Sequence, residues 1–360
     1  MGVKILSLFD GMACGMIAMR LAGVEVESYD AYEIDKYAIK TALHNFPMIK
    51  EHGDVFDADF TQYEGVDCLI GGSPCTYWSI AQTKNRETVA SGMGWELFLQ
   101  YVRALREAKP KYFIYENNKS MSKQIRASID KAFGFEAVLI NSALVSAQNR
   151  QRLYWVGRRN EDGTYSKVNV EQPPDRGILL KDVLDSAVAM REKAHTIDAN
   201  YYKGGNFSSL VKQSGKRLMA AEPINVTADG KAQCLRATCY KDGIRNIIAN
   251  EVDKKTGVAE PINVPHDERK SGKEITIYEV CDGKITIKGK QYPIKLKDGY
   301  YIIRKLTVSE CKRLQTVPEW YEFPVSNSPA YKILGNGWTC EVIAHLIRAC
   351  VGGNNGKEKQ

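Results

Sequence analysis

A cysteine that does covalent chemistry needs a stiff backbone beneath it and an acid or base within reach. The stretch Gly71-Gly72-Ser73-Pro74-Cys75 meets the first need. It follows the apolar run Val66-Asp67-Cys68-Leu69-Ile70, which predicts a short buried strand. Two glycines end that strand, and the proline sets the backbone just before the thiol. Cys75 is then expected at the C-terminal edge of a sheet, where open α/β folds place their ligands. Taken alone, the pentapeptide suits an ordinary Gly-Pro turn equally well. Further along, Pro110-Lys111-Tyr112-Phe113-Ile114-Tyr115 predicts another strand, running into Glu116-Asn117-Asn118. Glu116 is expected on the same rim, as a carboxyl that burial could make a general acid. The segment Gln148-Asn149-Arg150-Gln151-Arg152 puts two arginines on one face of an extended chain. They suit a phosphate or a base carbonyl, or the solvated edge of a sheet.

Stepping outward from these residues, a βα series is expected to hold them. Val3–Phe9 predicts a first strand, Asp10–Gly15 a glycine-containing turn, and Met16–Ala22 a helix. That is the opening of a nucleotide-binding unit, although it is not G-x-G-x-x-G, so a dinucleotide is not favoured. A second strand, Val26–Tyr32, ends in Glu33-Ile34-Asp35, an acid placed for ribose hydroxyls. After a helix over Lys36–Asn45, Asp54 is expected at the tip of a third strand on the same rim. The aperiodic stretch Thr76–Met93, with Trp78, Lys84, Arg86 and Gly92, reads as a mobile functional loop. Helices are predicted over Trp95–Leu105 and Lys123–Phe133, and a strand over Glu136–Ser142.

From about Arg158 the βα alternation stops, and Gly, Asn, Lys and Tyr rise. Ala221–Val226 recurs as Ala259–Val264, an internal repeat at a 38-residue offset. Ala199–Lys203 recurs as Ala237–Lys241 at the same offset. Two copies suggest a duplicated module but not a solenoid. Glu274–Ile303 alternates apolar and polar residues around Asp282-Gly283 and Asp298-Gly299, the grammar of β-hairpins. Thr307 and Glu310 then form a capping box for a helix running to Leu314-Gln315. Leu334-Gly335-Asn336-Gly337-Trp338 precedes an apolar helix over Cys340–Val351 and a polar tail.

Charge is unevenly spread over the 360 residues, whose net charge is +7. Residues 148–305 hold 29 Lys and Arg against 20 Asp and Glu, while the rest holds 21 against 23. A basic excess confined to one region suits a polyanion-facing surface. With 44% hydrophobic and 26% charged residues, a large core is expected and global disorder is not. No apolar run is long enough to span a membrane, and the N-terminus lacks the features of a signal peptide. The expectation is a soluble, cytoplasmic protein. Nine cysteines at irregular spacing, with no C-x-x-C pair, argue against a disulfide framework and a zinc site.

The ordered set of blocks resembles the DNA (cytosine-5)-methyltransferases, over residues 3–158 and 304–351. Phe9-Asp10-Gly11 with Gly15 is similar to motif I, Glu33 to motif II, Asp54 to motif III, and Ser73-Pro74-Cys75 to motif IV. Glu96-Leu97-Phe98 with Arg103 is similar to motif V, Glu116-Asn117-Asn118 to motif VI, and Gln148–Arg152 to motif VIII. Arg304–Thr307 with Glu310 and Arg313-Leu314-Gln315 is similar to motif IX, and Gly335-Asn336-Gly337 to motif X. The wording is nearest to the de novo-type members. Thr76 stands where the family commonly has Gln, and Gly337 where it commonly has Ser.

The resemblance implies an α/β fold, with a Rossmann-like S-adenosylmethionine-dependent domain and a second, smaller, mostly β target-recognition domain. The corresponding boundaries are 1–158, 159–303, a linker with the motif IX helix at 304–334, and a returning C-terminal helix at 335–360. It implies methyl transfer to carbon 5 of cytosine in duplex DNA by base flipping, with Cys75 as nucleophile at carbon 6. Glu116 would bind the ring, Arg152 the base carbonyl, and Arg150 would help to position the site. S-adenosylmethionine would meet Phe9, the turn from Gly11 through Ala13 to Gly15, Glu33 at the ribose and Asp54 at the adenine. Ile34, Val55, Ser73, Pro74, Leu97 and Asn336 would complete that pocket. Trp78, Lys84, Arg86 and Gln148 are the implied DNA contacts. Duplex DNA is the implied partner, with no metal and no membrane, and a monomer is the simplest expectation. The setting would be a bacterial or phage-infected cell, with restriction–modification as one context. Two alternatives stay open at this point: a transfer-RNA cytosine methyltransferase and a catalytically inactive DNA-binding relative.

Overall fold

Short apolar strands joined by amphipathic helices can bury both faces of a sheet only when the strands run parallel and the helices cover them. The first half of the chain does this. In the computed structural model, which describes residues 2–80, 86–185, 187–203, 220–224, 277–287 and 289–352, β1 (Val3–Leu8) is central. It pairs in parallel with β2 (Val26–Tyr32), and β2 in turn pairs with the two-residue β3 (Lys50–Glu51). On its other side β1 pairs with β4 (Cys68–Gly71), and β4 pairs with β5 (Tyr112–Asn118), again in parallel. β6 (Val138–Asn141), β7 (Gln151–Arg159) and β8 (Tyr165–Lys167) continue the sheet in antiparallel fashion, in the order β3-β2-β1-β4-β5-β7-β6 with β8 also on β7. The chain moves outward from β1 to β3 and returns at β4. The order therefore switches between β1 and β4, and such a switch opens a crevice at the carboxyl ends of the strands. This is a Rossmann-like α/β architecture.

The helices divide between the two faces. α1 (Cys14–Ala22) and α2 (Lys36–Asn45) lie on one face, where Met16, Ile17 and Met19 share a core with Val342, Ile343 and Leu346 of the C-terminal helix. α3 (Met93–Ala108) and α4 (Lys123–Phe133) cover the other face with Phe98, Tyr101, Ile125, Ile129 and Phe133 around Trp155. α2 and α4 start and stop where the sequence predicts, because Asp35 and Ser122 accept hydrogen bonds from Tyr37 N and Ile125 N. The third strand is shorter than expected. Asp54 lies beyond it and caps a single 3₁₀ turn, Val55–Asp57, by accepting from Phe56 N at 3.0 Å.

The change of composition near Arg158 does not coincide with a break in packing. β8 extends the first sheet, and Leu180, Val183, Ala194, Ile197 and Tyr201 are buried in the same core as α1. A second sheet is built from β9 (Val188–Ala189), β10 (Ala220–Ile224), β11 (Ile277–Cys281), β12 (Lys284–Ile287), β13 (Lys290–Pro293) and β14 (Gly299–Arg304). Its order is β13-β12-β11-β14-β10-β9. Asp282 and Gly283, with φ of 51° and 65°, make the predicted tight hairpin. Asp298-Gly299 does not close a second one: β14 crosses back to pair with β11 and β10, and Asp298 Oδ1 accepts from Gly283 N. The internal repeat falls largely outside the described residues.

α5 (Val308–Leu314) carries the predicted capping box, with Thr307 and Glu310 each accepting from the other's backbone N–H. α6 (Asn327–Asn336) and α7 (Cys340–Gly352) bring the chain back to α1. No described helix is long and apolar enough to cross a membrane. α6 approaches the 198–199 backbone so closely that a Cβ on Gly335 would lie 2.3 Å from the Asp198 carbonyl atoms. Gly335→Ala should therefore destabilise the fold by about 1–3 kcal/mol through overpacking against backbone, read as a lowered midpoint in urea unfolding.

Candidate active site

The turn that carries Cys75 is stiff for reasons only partly visible in its own sequence. Gly71 and Gly72 do not take positive φ. They are bare because neighbours occupy the space. A Cβ on Gly71 would meet Leu8 O at 2.7 Å, and one on Gly72 would meet Glu116 O at 2.8 Å and Glu116 Oε2 at 3.0 Å. Strand β5 supplies the rest of the support. Ser73 Oγ and Tyr115 OH share a hydrogen bond of 2.6 Å, and Asn117 Nδ2 donates to Ser73 O at 3.1 Å. Asn118 Nδ2 reaches Cys75 O at 3.3 Å, which also accepts from Trp78 N and Ser79 N. Ser73 is buried, Pro74 exposed and Cys75 half-buried at the start of a 3₁₀ turn. Its thiol is thus accessible on a fixed backbone.

Glu116 is nearly buried, and both of its oxygens are held. Arg152 Nε lies 2.9 Å from Oε1, and Trp338 Nε1 donates to Oε2 at 3.0 Å. The register of β5 against β7, with Asn118 opposite Arg152, brings the guanidinium to the carboxylate. Arg150 plays a different part from the one its spacing suggests. Its guanidinium is buried and donates to the carbonyls of Ile197, Gly335 and Gly337, at 2.7 Å for Gly337. Burial, then the Arg152 charge, pulls its pKa down to about 10, against the pull of Glu116 and Cys75. Arg150 is therefore a positioning residue that clamps the α6–α7 turn behind the site, and it is not free to meet a substrate.

The rim beside this centre collects most of the residues expected around a cofactor. Phe9, Gly11 and Ala13 all have positive φ, of 58°, 63° and 57°, and wind the chain from β1 into α1. Glu33 braces this turn: Oε2 accepts from Gly11 N, and Oε1 from Ile34 N and Asp35 N, each at 2.8 Å. Ile34 is 73% exposed beside it. Val55 is buried, Leu97 is half-buried against the second core, and Asn336 is exposed at the end of α6. Gly15 is a correction. It is buried in α1, where a Cβ would lie 2.2 Å from Ile70 Cδ1 and 2.6 Å from Tyr29 OH, so it seats the helix and offers no surface to a ligand.

Three of the expected DNA contacts are also corrected, and the fourth, Lys84, lies outside the described residues. Trp78 is fully buried in the second core and donates to Glu87 Oε2 at 3.0 Å. Arg86 donates to Trp78 O at 3.1 Å and Ser120 O at 2.6 Å, tying down the base of the loop. Glu87 completes that latch by accepting from Gly94 N at the start of α3. Gln148 is fully buried in a bridge to Ala194. Side-chain type suggests outward-facing roles, but Glu87 and Ser120 hold Trp78 and Arg86 to the protein, and backbone pairing with Ala194 buries Gln148, whose amide group has no protein partner.

With this geometry in hand, comparison with known proteins is decisive. Residues 3–352 match the family described as C-5 cytosine-specific DNA methylase. The chain belongs to that family. A curated member, the type II methyltransferase M.NgoPII of Neisseria gonorrhoeae, is 26% identical over 359 residues, covering 93% of this chain and 91% of the relative. The orphan methyltransferase M.Rho11sI of Bacillus phage rho11s is 33% identical over 171 residues. That match covers 44% of this chain and only 33% of the phage protein's own length. Among solved structures, Spodoptera frugiperda DNMT2 superposes with a TM-score of 0.57 at 18% identity, over 97% of this chain and 99% of the other. The family implies use of S-adenosylmethionine.

Three groups escaped sequence reasoning. Glu51 carries no signal of its own, Asp10 lies within the motif I block with no role assigned to it, and Trp338 directly follows the motif X block. Asp10 Oδ1 accepts from Ser7 Oγ and Tyr29 OH, both at 2.6 Å, while its Oδ2 is buried without a protein partner. Both oxygens of Glu51 are likewise buried and unpaired. Burial raises Asp10 to about 6, and burial followed by the charges of Asp10 and Glu33 raises Glu51 to about 8. Orphaned acid oxygens beside a glycine turn fit a cationic ligand, which S-adenosylmethionine is. A carboxyl raised on folding stabilises the protein when protonated, and that stability is lost as pH climbs from its ordinary 4.5 through about 8. Glu51→Gln should therefore leave ligand-free stability unchanged near pH 5 and raise it at pH 8, by on the order of 1 kcal/mol after solvent screening, measured by urea unfolding at both pH values.

Proposed function

We propose that the protein transfers a methyl group from S-adenosylmethionine to carbon 5 of cytosine within a specific duplex DNA sequence. The observation that carries this reading is the Glu116 carboxylate, held by Arg152 and Trp338 across the bare backbone of Gly72 from the Cys75 turn. Carbon 5 of cytosine is a poor nucleophile, and a duplex hides carbon 6, so the base must be flipped out. The Cys75 thiolate adds to carbon 6, forming a C–S bond. The ring electrons shift toward ring nitrogen 3, which takes a proton from Glu116 while the exocyclic amine donates to the same carboxyl. Arg152, already against Glu116 through its Nε, would bond the base carbonyl oxygen with a guanidinium N–H. Carbon 5 is now enamine-like. When bound, S-adenosylmethionine supplies an electrophilic methyl group on its sulfonium. Once carbon 5 had bonded that methyl and the methyl–sulfur bond had broken, loss of the carbon 5 proton to solvent would expel the Cys75 thiolate, ring nitrogen 3 would return its proton to Glu116, and the aromatic ring would be restored.

This chain's own residues support a place for the cofactor. The Phe9–Ala13 turn and Glu33 would hold it, with Ile34 and Asp54 on its adenosine side, Asn336 at the closing edge, and Asp10 and Glu51 offering unpaired acceptor oxygens to a cation. The basic residues within 159–303, together with the second sheet, are proposed as the target-recognition domain. Electrostatic attraction to phosphate would supply affinity there, and base contacts the sequence preference. The bacterial and phage relatives suit action on DNA in a cytoplasm.

DNA in which the target cytosine carries fluorine at carbon 5 tests the mechanism, because fluorine cannot leave as a proton. With S-adenosylmethionine the protein should form a denaturant-stable adduct, and Cys75→Ser should form none. An equal yield of adduct from Cys75→Ser would remove Cys75 from the role. Glu116→Ala should lower turnover by roughly 10²–10³-fold while keeping cofactor affinity in calorimetry. The same assay on transfer RNA discriminates the substrate: preferential methylation of transfer RNA would overturn the DNA assignment.

A further inference from the structure

Trp338 lies on the loop between α6 and α7, yet its indole N–H ends on the one carboxylate that the proposed chemistry needs. The contact is 3.0 Å, to Glu116 Oε2, across 222 residues of chain. Nothing in the local sequence calls for it, and two features make it a built contact. First, the backbone on either side of Trp338 is clamped. Gly337 O accepts from Arg150 at 2.7 Å and from Gln315 Nε2 at 3.2 Å. Thr339 Oγ1 accepts from Ser142 Oγ at 2.9 Å and donates to Gln315 Oε1 at 3.0 Å. Second, the path of the indole runs over Gly72, where a Cβ would come within 3.5 Å of its Nε1. The Trp338 carbonyl also faces Cys14 Sγ at 3.8 Å, at the first residue of α1.

We infer that Trp338 is a positioning residue for Glu116, which couples the base-binding carboxyl to the α6–α7 turn and, through Cys14, to the cofactor side of the crevice. The chemistry of the donor matters. An indole N–H only donates, so it cannot take the proton that Glu116 passes to the base. It fills one site on Oε2 while Arg152 fills one on Oε1, and the remaining lone pairs stay available for a cytosine edge. The groups that face or electrostatically influence Glu116 are Arg152 and Tyr154 from β7, Arg150 just before that strand, Tyr115 from its own strand, and Trp338. Removing the indole N–H leaves the arginines in place and shifts only one donor.

This inference rests on the reading of Glu116 as the base-binding acid. The test is Trp338→Phe, assayed for methyl transfer to duplex DNA and for adduct formation with DNA carrying 5-fluorocytosine. Turnover should fall about tenfold, equivalent to about 1.4 kcal/mol in the barrier, with KM for DNA and affinity for S-adenosylmethionine within about twofold of the parent. The rate of adduct formation should fall by the same factor, because the carboxyl that meets the base is no longer held in place. A purely structural role would weaken DNA and cofactor binding and lower the urea midpoint along with turnover, and that result, or an unchanged turnover, would overturn the inference. If Trp338→Phe does not fold, the sulfur isostere benzothienylalanine at position 338 keeps ring shape and removes only the N–H. It should show the same loss confined to kcat, and full turnover with it would be equally fatal. Glu116→Ala serves as the control. Full activity in that variant sinks the reading of Glu116 itself, whereas an inactive Glu116→Ala with a fully active Trp338→Phe sinks only the role of Trp338.

Discussion

The site depends on how closely β4 and β5 approach where Gly72 passes Glu116. A side chain at position 72 would strike both the backbone and the carboxylate of Glu116. With no side chain there, a nucleophile and an acid from adjacent strands can share one small space, and an indole from the far end of the chain can reach over. Asn117, Asn118 and Tyr115 then hold the Cys75 turn from the same strand that presents Glu116. The thiol and the carboxyl are thus set against a common backbone. Preorganisation of this kind is the usual source of large electrostatic effects in catalysis.

Closure of the structure around this centre comes from the C-terminal segment. α7 packs against α1, and the preceding turn is tied by Arg150 and Gln315. Arg150 shows why a charge can be buried here. Three backbone carbonyls satisfy its guanidinium, and Glu116 offsets the neighbouring Arg152. The opposite imbalance holds on the cofactor side. Asp10 and Glu51 have buried oxygens with no donor, which costs stability in the ligand-free protein and suits a cationic ligand. Only the cofactor half of the crevice is therefore electrostatically incomplete, in a direction that matches a cationic ligand.

Much of the fold was legible in the chain. Apolar runs located β1, β2, β4 and β5, and a capping box marked the start of α5. These signals are local: a run of apolar residues or an Asp, Ser or Thr before a helix acts on its own neighbours. The second sheet was less legible, because β14 pairs with β11 and β10 and not with the strand before it. A hairpin is the default for alternating runs joined by Asp-Gly, but long-range pairing overrode it at Asp298. Trp78, Arg86 and Gln148 failed for a related reason. Aromatic and basic side chains in a loop read as outward-facing until Glu87 and Ser120 are seen to hold them, and Gln148 reads as exposed until its backbone is seen to pair with Ala194.

By itself the sequence determined which residues could react and in what order they would reach one rim. Cys75 follows a strand and a rigid turn, Glu116 ends the next parallel strand, and Glu33 ends the second, so parallel pairing alone aligns their tips. Tertiary structure decided what each group does there. Arg152 meets the carboxylate while Arg150, two residues away, turns to the α6–α7 loop; Glu51 lies buried beside Asp10; and Trp338 reaches Glu116. The physical reason is that a donor's partner is set by distance in space. Here the deciding partners lie tens to hundreds of residues apart, where no spacing rule reaches.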